Sequence, residues 1–195
     1  HALIIGAGAI GSFYGAILKR AGCTVSAVVR SEYDAVKEHG FQFESPLGDI
    51  SWTPDRLYKD GDRPDAAPDY LILATKVLPG SDRAALVKPW VGEGTRIVLI
   101  QNGLDIEREL ADAFPDNPII SCLAFIAVSR VAPGEIKHNA YGRLETSEER
   151  ESAAYSALGV RPEDARGWTR EQVLSLFHRG LLTRDQAMGI AQIRG

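Results

Sequence analysis

The chain opens Ala2-Leu3-Ile4-Ile5-Gly6-Ala7-Gly8-Ala9-Ile10-Gly11, and this stretch decides the fold. Four apolar residues that stop at a glycine read as a short buried strand. Ile10, Phe13, Tyr14, Ile17 and Leu18 then share one face of a helix that runs to Arg20 and closes at Gly22. Between strand and helix the glycines have the spacing GxGxxG, and each has its own duty. Gly6 permits the tight turn, Gly8 lets a pyrophosphate approach the backbone, and Gly11 lets the helix sit close to the strand. Ala7, Ala9 and Ile10 complete the loop. An anion would rest on the helix N-terminus, where unpaired N–H groups and the positive end of the dipole meet it. Gly15 extends the smooth face of the helix. The bland alternative is a glycine-rich turn with packing duty alone.

Outward from this unit, strands and helices alternate. Thr24–Val29 is a β-branched run and reads as a second strand. Ser31 is expected to cap a polar helix, Glu32–His39, closed by Gly40. Phe41–Thr53 reads as a hairpin around Pro46-Leu47-Gly48-Asp49. Tyr70–Thr75 and Thr95–Ile100 read as the third and fourth buried strands, with a short helix over Ala84–Trp90 between them. A helix over Asp105–Phe114 follows, then a long apolar strand, Ile119–Val128. Glu135–Lys137 and Tyr141–Glu145 read as a second hairpin. Strands that are continuous apolar runs, alternating with helices, predict an α/β fold: a doubly wound, Rossmann-type, mostly parallel sheet with an antiparallel addition near residues 119–145.

The character of the chain changes near Thr146. Residues 1–146 read as one cofactor-binding domain and 147–195 as a short helical extension. Ser147–Leu158 is helix-like, Gly159–Gly167 is a linker, and Thr169-Arg170-Glu171-Gln172 returns as Thr183-Arg184-Asp185-Gln186. Each repeat is a capping box that opens a short amphipathic helix. Val173, Leu174, Leu176, Phe177, Leu181, Leu182 and Ile190 are the expected packing residues of this helical hairpin.

Composition narrows the class. The chain has 195 residues, 45% hydrophobic and 25% charged, with a net charge of −4. A chain of this size and make-up buries a core without staples, which argues against disorder. An acidic balance argues against a nucleic-acid partner. The longest nearly apolar stretch, Ile119–Val128, is far shorter than the roughly 20 residues of a membrane-spanning helix. No secretory signal opens the chain, and Cys23 and Cys122 lack metal or redox spacing. A cytoplasmic protein with reduced thiols, no membrane and no metal site is the expectation.

In open α/β sheets ligands bind outside the carboxyl ends of the strands. Three such ends carry informative residues. Arg30 stands where NAD-binding domains place an acid for the ribose 2′-hydroxyl, and an arginine there suits a 2′-phosphate, so NADP(H) is the expected cofactor. Glu32 lies close enough to offset it. Lys76 and Asn102 follow the third and fourth strands and suit ribose, phosphate or a substrate oxygen, though each could be a solvated strand end or turn. His138 and Asn139 read as a polar turn.

The ordered set Gly6–Gly11, Val28-Val29-Arg30-Ser31, Leu73-Ala74-Thr75-Lys76, Gln101-Asn102-Gly103, the Cys122–Arg130 strand and Pro133-Gly134-Glu135-Ile136 resembles the N-terminal domain of ketopantoate reductases. The resemblance implies NADPH-dependent reduction of a 2-keto acid, 2-dehydropantoate to pantoate, in pantothenate and coenzyme A biosynthesis. It implies that Gly6, Ala7, Gly8, Ala9, Ile10 and Gly11 hold the pyrophosphate and Arg30 the 2′-phosphate. Lys76 and Asn102 would lie near the nicotinamide and substrate, Lys76 also as a weak catalytic group, and Val128 would be a cofactor contact. The family closes its cleft with a second, helical domain that supplies a lysine as proton donor. Residues 147–195 do not resemble that domain, and the last lysine here is Lys137. The departure implies a chain that binds NADPH better than it catalyses. The alternative is an NADP(H)-binding module whose helical hairpin is an interaction element; an uncovered cleft could also pair two copies as a homodimer.

Overall fold

The computed structural model describes residues 1–78, 80–103, 106–146 and 168–182. Strand β1 (Ala2–Ile5) is buried throughout, and its alternation divides the core in two. Ala2 and Ile4 pack with Phe13, Val25, Ala27, Phe41 and Trp52. Leu3 and Ile5 pack with Leu71, Leu73, Trp90, Leu99 and Leu110. Successive side chains of a strand face opposite ways, so a strand covered on both faces needs an unbroken apolar run.

The chain continues through α1 (Ala9–Arg20), β2 (Val25–Val29), α2 (Tyr33–His39), β3 (Phe41–Glu44), β4 (Ile50–Trp52), β5 (Arg56–Lys59), β6 (Tyr70–Leu73) and α3 (Arg83–Val87). It then forms β7 (Arg96–Leu99), α4 (Arg108–Ala113), β8 (Ile119–Ala132), β9 (Glu135–Thr146) and α5 (Arg170–His178). Among the described residues the strands form one sheet in the order β4-β3-β9-β8-β7-β6-β1-β2-β5. From β5 to β8 every neighbouring pair is parallel. Counted in chain order, those strands read 3-2-1-4-5-6 across the sheet, the doubly wound order. The expected fold class is therefore the one observed.

The departures are local. Arg56–Lys59, unassigned in the sequence reading, is the edge strand β5, with Tyr58 buried and its neighbours more exposed. The Phe41–Thr53 hairpin forms, with Phe41 opposite Trp52, but β3 lies parallel to β9 at the far edge of the sheet. The second expected hairpin does not form as read. Glu135–Lys137 and Tyr141–Glu145 are two parts of one strand, β9, antiparallel to the length of β8. The turn is at Pro133-Gly134, with Gly134 at φ +75°. What looked like a turn at His138-Asn139 is a bulge: Ala127 and Val128 pair with Ala140 and His138 and leave Asn139 extra, and a second slip between Phe125 and Ile126 stands opposite Tyr141 (φ +68°) and Gly142 (φ +135°).

His138 accordingly is no turn residue. It is buried in β9 against Phe13, with ring centroids 4.6 Å apart. Its Nε2–H donates to the Tyr141 carbonyl at 2.9 Å, so Nδ1 accepts from the Ser45 hydroxyl at 2.9 Å. Ser31 does not cap α2. Glu32 takes the cap position without a side-chain bond to the helix, because its carboxylate accepts from Arg130 and from the Gly134 amide instead. The helix read from Asp105 begins at Arg108, and the one read to Trp90 ends at Val87.

In the tail the first capping box is present. The Thr169 amide donates to Gln172 Oε1 at 2.7 Å, and the Gln172 amide to Thr169 Oγ1 at 3.3 Å. Val173 and Leu182 are buried. The expected helix over 147–158, the linker over 159–167 and the second capping box lie outside the described residues, as does Ile190.

Candidate cofactor site at the strand ends

The parallel strands end level with one another: Ile5 is opposite Val28 and Leu73, and Leu73 is opposite Leu99. One edge of the sheet therefore presents, in spatial order, Arg30 after β2, the glycine loop after β1, Lys76 after β6 and Asn102 after β7. Three strand spacings separate the first from the last, about 14 Å, a span that an extended dinucleotide covers.

The glycine loop divides into positions the protein needs and one it does not. Gly6 has φ +87°, and a Cβ there would lie 2.7 Å from Thr75 Cγ2 and 2.8 Å from the Thr75 amide nitrogen. At Gly11 a Cβ would stand 2.5 Å from the Gly6 carbonyl oxygen. Both are glycines because the turn and the helix–strand contact require it. Gly8 differs. Its backbone is extended (φ −77°, ψ −154°), open to any residue, and a Cβ there would meet nothing within 4 Å. The space above Gly8 is left empty by the fold itself, room that a pyrophosphate could occupy.

Gly8 is also the N-cap of α1, with no side-chain cap and no acid in the first turn, while Lys19 and Arg20 stand in the last. The N-terminal N–H groups of the helix therefore have no side-chain cap, as an anion site would need, and the dipole is complemented at the other end. Ala7 is buried, and Ala9 and Ile10 are half-buried against the core under α1.

Arg30, Lys76 and Asn102 are all exposed, and among the described residues none of their side chains has a hydrogen-bond or ion-pair partner. Glu32, which could have neutralised Arg30, is buried and paired with Arg130. Val128 lies further out, in the part of β8 that pairs with β9 opposite His138, half-buried against the core.

A buried clamp that the sequence did not announce fixes the strand ends. Gln101, 5% exposed, donates from Nε2 to the Thr75 carbonyl at 2.6 Å and to Thr75 Oγ1 at 3.0 Å. Its Oε1 accepts from Arg83 at 3.3 Å. Arg83 is buried and held by Glu109 at 2.8 Å. Glu109 also accepts the Arg83 amide at 2.6 Å and the Ala84 amide at 3.1 Å. Burial alone would raise the Glu109 pKa, but the Ala84 amide, the Arg83 hydrogen bonds and the Arg83 charge outweigh it and hold the carboxyl below its ordinary value. Thr75 thus touches Gly6 on one side and is gripped by Gln101 on the other, so the loops bearing Lys76 and Asn102 are tied to the glycine loop.

Shape alone points elsewhere. A groove of about 390 Å³ lies at the opposite edge, lined by Gln42, Glu44, Ile50, Val131 and Lys137 among its walls. Two of its ionic groups are joined, Lys137 to Glu44 at 2.9 Å, and Asp49 and Glu135 also line it. Among the described residues no helix is long and apolar enough to cross a membrane.

Strand order and glycine loop together define a Rossmann-like α/β domain. The chain belongs to the ketopantoate reductase (PanE/ApbA) family, whose pattern matches residues 2–151. It is 32% identical over 157 residues to a 2-dehydropantoate 2-reductase of Nostoc sp., covering 80% of this chain and 48% of that protein. The crystal structure of 2-dehydropantoate 2-reductase from Methylococcus capsulatus superposes with a TM-score of 0.73 at 36% identity, over 92% of this chain and 69% of that one. The enzyme from Geobacter metallireducens gives 0.67 at 34% identity, over 74% and 48%. The chain spans about half the length of the curated relatives it matches.

Proposed function

We propose that residues 1–146 bind NADPH along the carboxyl ends of β2, β1, β6 and β7, in service of the reduction of a 2-keto acid, 2-dehydropantoate to pantoate. The observation that carries the reading is Gly8: a glycine that neither its backbone angles nor its neighbours require, at the uncapped start of a helix. In this reading Gly6 to Gly11 hold the pyrophosphate and Arg30 pairs with the 2′-phosphate. Lys76 and Asn102 face the nicotinamide ribose and the substrate oxygen. The bound dinucleotide supplies the hydride. The protein orients it, and an ammonium such as Lys76 can stabilise the oxygen that gains charge. The same reading places the protein in the cytoplasm, with residues 147–195 as a separate helical element and the exposed cleft as a homodimer contact.

A second reading, a cofactor-binding module without turnover of its own, is favoured by one observation. Lys137, in β9, is tied to Glu44 of β3 at 2.9 Å, and β8 lies between it and the ends of the parallel strands β7, β6, β1 and β2. One experiment separates the two. NADPH is titrated against the protein by thermal shift, and NADPH oxidation is then followed with 2-dehydropantoate. Binding with oxidation supports the first reading, and binding without oxidation the second. Absence of binding overturns both.

A further inference from the structure

Arg30 is not alone at the β2 end of the row. β5 runs parallel to β2 with Lys59 opposite Val29, so Lys59 leaves the sheet beside the residue that precedes Arg30. Its ammonium lies 4.3 Å from the centroid of the Tyr33 ring, at the first residue of α2. An aromatic face attracts a cation through its quadrupole, so the ring holds the ammonium over the β2–α2 turn. Lys37 approaches the same ring at 5.9 Å.

Two acids near this corner are engaged elsewhere, and the adjoining Asp34 and Asp60 form no ion pair with either cation among the described residues. Glu32 is buried and accepts from Arg130 and the Gly134 amide. Asp62 accepts the backbone amide of Lys59 at 2.7 Å. Among the described residues neither the Arg30 guanidinium nor the Lys59 ammonium meets a carboxylate. Two positive groups at the ends of neighbouring strands, neutralised by no carboxylate among the described residues, suit a dianion. A phosphate monoester offers three oxygens: a guanidinium can take two as a fork, and a compact ammonium can take the third.

We propose that Lys59 is a specificity-determining residue, which forms with Arg30 a two-cation subsite for a phosphate on the ribose 2′ position. Tyr33 is its positioning residue. The proposal rests on the reading of this edge as an NADPH site. It deepens that reading by assigning the choice between NADPH and NADH to β5 as well as to β2.

The test uses the whole chain and measures Kd for NADPH and for NADH. Lys59→Met keeps the length of the stem and removes the charge; Lys59→Arg keeps the charge. Lys59→Met is expected to weaken NADPH about fivefold, the effect of one exposed ion pair, and to leave NADH within about twofold. Its NADPH affinity should also depend less steeply on salt. Lys59→Arg should retain the NADPH affinity, and Tyr33→Leu should fall between the wild type and Lys59→Met. The melting temperature without ligand checks that each variant is folded. Equal losses for both coenzymes, or no loss for NADPH in folded Lys59→Met, overturn the assignment. If Arg30→Asp erases the preference while Lys59→Met keeps it in full, only the Lys59 assignment falls. A wild type with no preference for NADPH overturns the cofactor reading along with it.

Discussion

The two halves of the sheet use their polar side chains in opposite ways. In the antiparallel ribbon and its flanking hairpin, polar groups find one another: Arg130 with Glu32, Lys137 with Glu44, Arg143 with Glu145, His138 with Ser45. At the carboxyl ends of the parallel strands, Arg30, Lys76 and Asn102 are exposed, and their side chains have no such partner among the described residues. Lys137 meets Glu44 across the β9–β3 pair, Arg143 meets Glu145 along β9, and Arg130 reaches the turn before α2, so this half satisfies itself from within. Parallel strands all exit by the same edge, and each ends where its neighbours end. What that edge carries is left for something that is not part of the sheet.

The contrast is broken hardest within the glycine loop. Gly8→Val is expected to lower NADPH affinity by at least about a hundredfold, because two methyl groups would fill the phosphate cradle. Without ligand its melting temperature should stay within about 2 °C of the wild type, since the backbone there is extended and the space is open. Gly11→Ala should do the reverse. Its methyl group meets a backbone carbonyl, so unfolding free energy should drop by about 1–3 kcal/mol. Calorimetry with and without NADPH reads both variants. A Gly8→Val protein that kept its ligand-induced shift would make the loop a structural turn.

Arg30→Asp tests whether the exposed cation matters for its charge. Losing a charge-assisted hydrogen bond and gaining repulsion should cut NADPH affinity about tenfold or more while sparing NADH. Equal Kd values of the wild type for the two coenzymes would refute the role given to Arg30.

The smallest effect concerns acid. The Glu109 pKa is lowered in the folded chain from an ordinary value of 4.5. Its stabilisation is therefore complete above that value and is lost as pH falls through the lower, folded one. Asp55 behaves likewise: burial alone would raise its pKa, but the bonds from Lys19 and the Val25 amide hold it down. Amide exchange at Thr75 and Gln101 should thus be protected to the same degree from about pH 5 to 7 and rise only below about pH 4.5. A loss of protection already at neutral pH would show that Glu109 does not hold the clamp.

Sequence made the parallel half legible because double-sided burial writes itself as unbroken apolar runs: Ala2–Ile5 and Tyr70–Leu73 need no context to be read. β5 was hidden because an edge strand is buried on one side only, and Arg56-Leu57-Tyr58-Lys59 has the polarity of a loop. β9 was split in two because its bulge sets the polar pair His138-Asn139 where a turn would put such residues. In the site, the exposed Arg30, Lys76 and Asn102 could be found by position alone. Gln101 could not, since its importance comes from Thr75 and Arg83, which lie 26 and 18 residues away and meet it only once the sheet is assembled. Lys59 was missed for the same reason as its strand.

Trp52 ties the outlying hairpin to the helix that carries the phosphate loop. Its indole N–H donates to the Ser12 carbonyl at 3.1 Å, its ring stacks on Phe41 at 5.0 Å, and it fills the space beside Gly15. The consequence is optical. An indole shielded from water and seated one turn along α1 emits from beside the place where a reduced nicotinamide cofactor would lie, and that cofactor absorbs in the range where indole emits. Energy transfer would then dim Trp52 emission in proportion to occupancy, with no label attached.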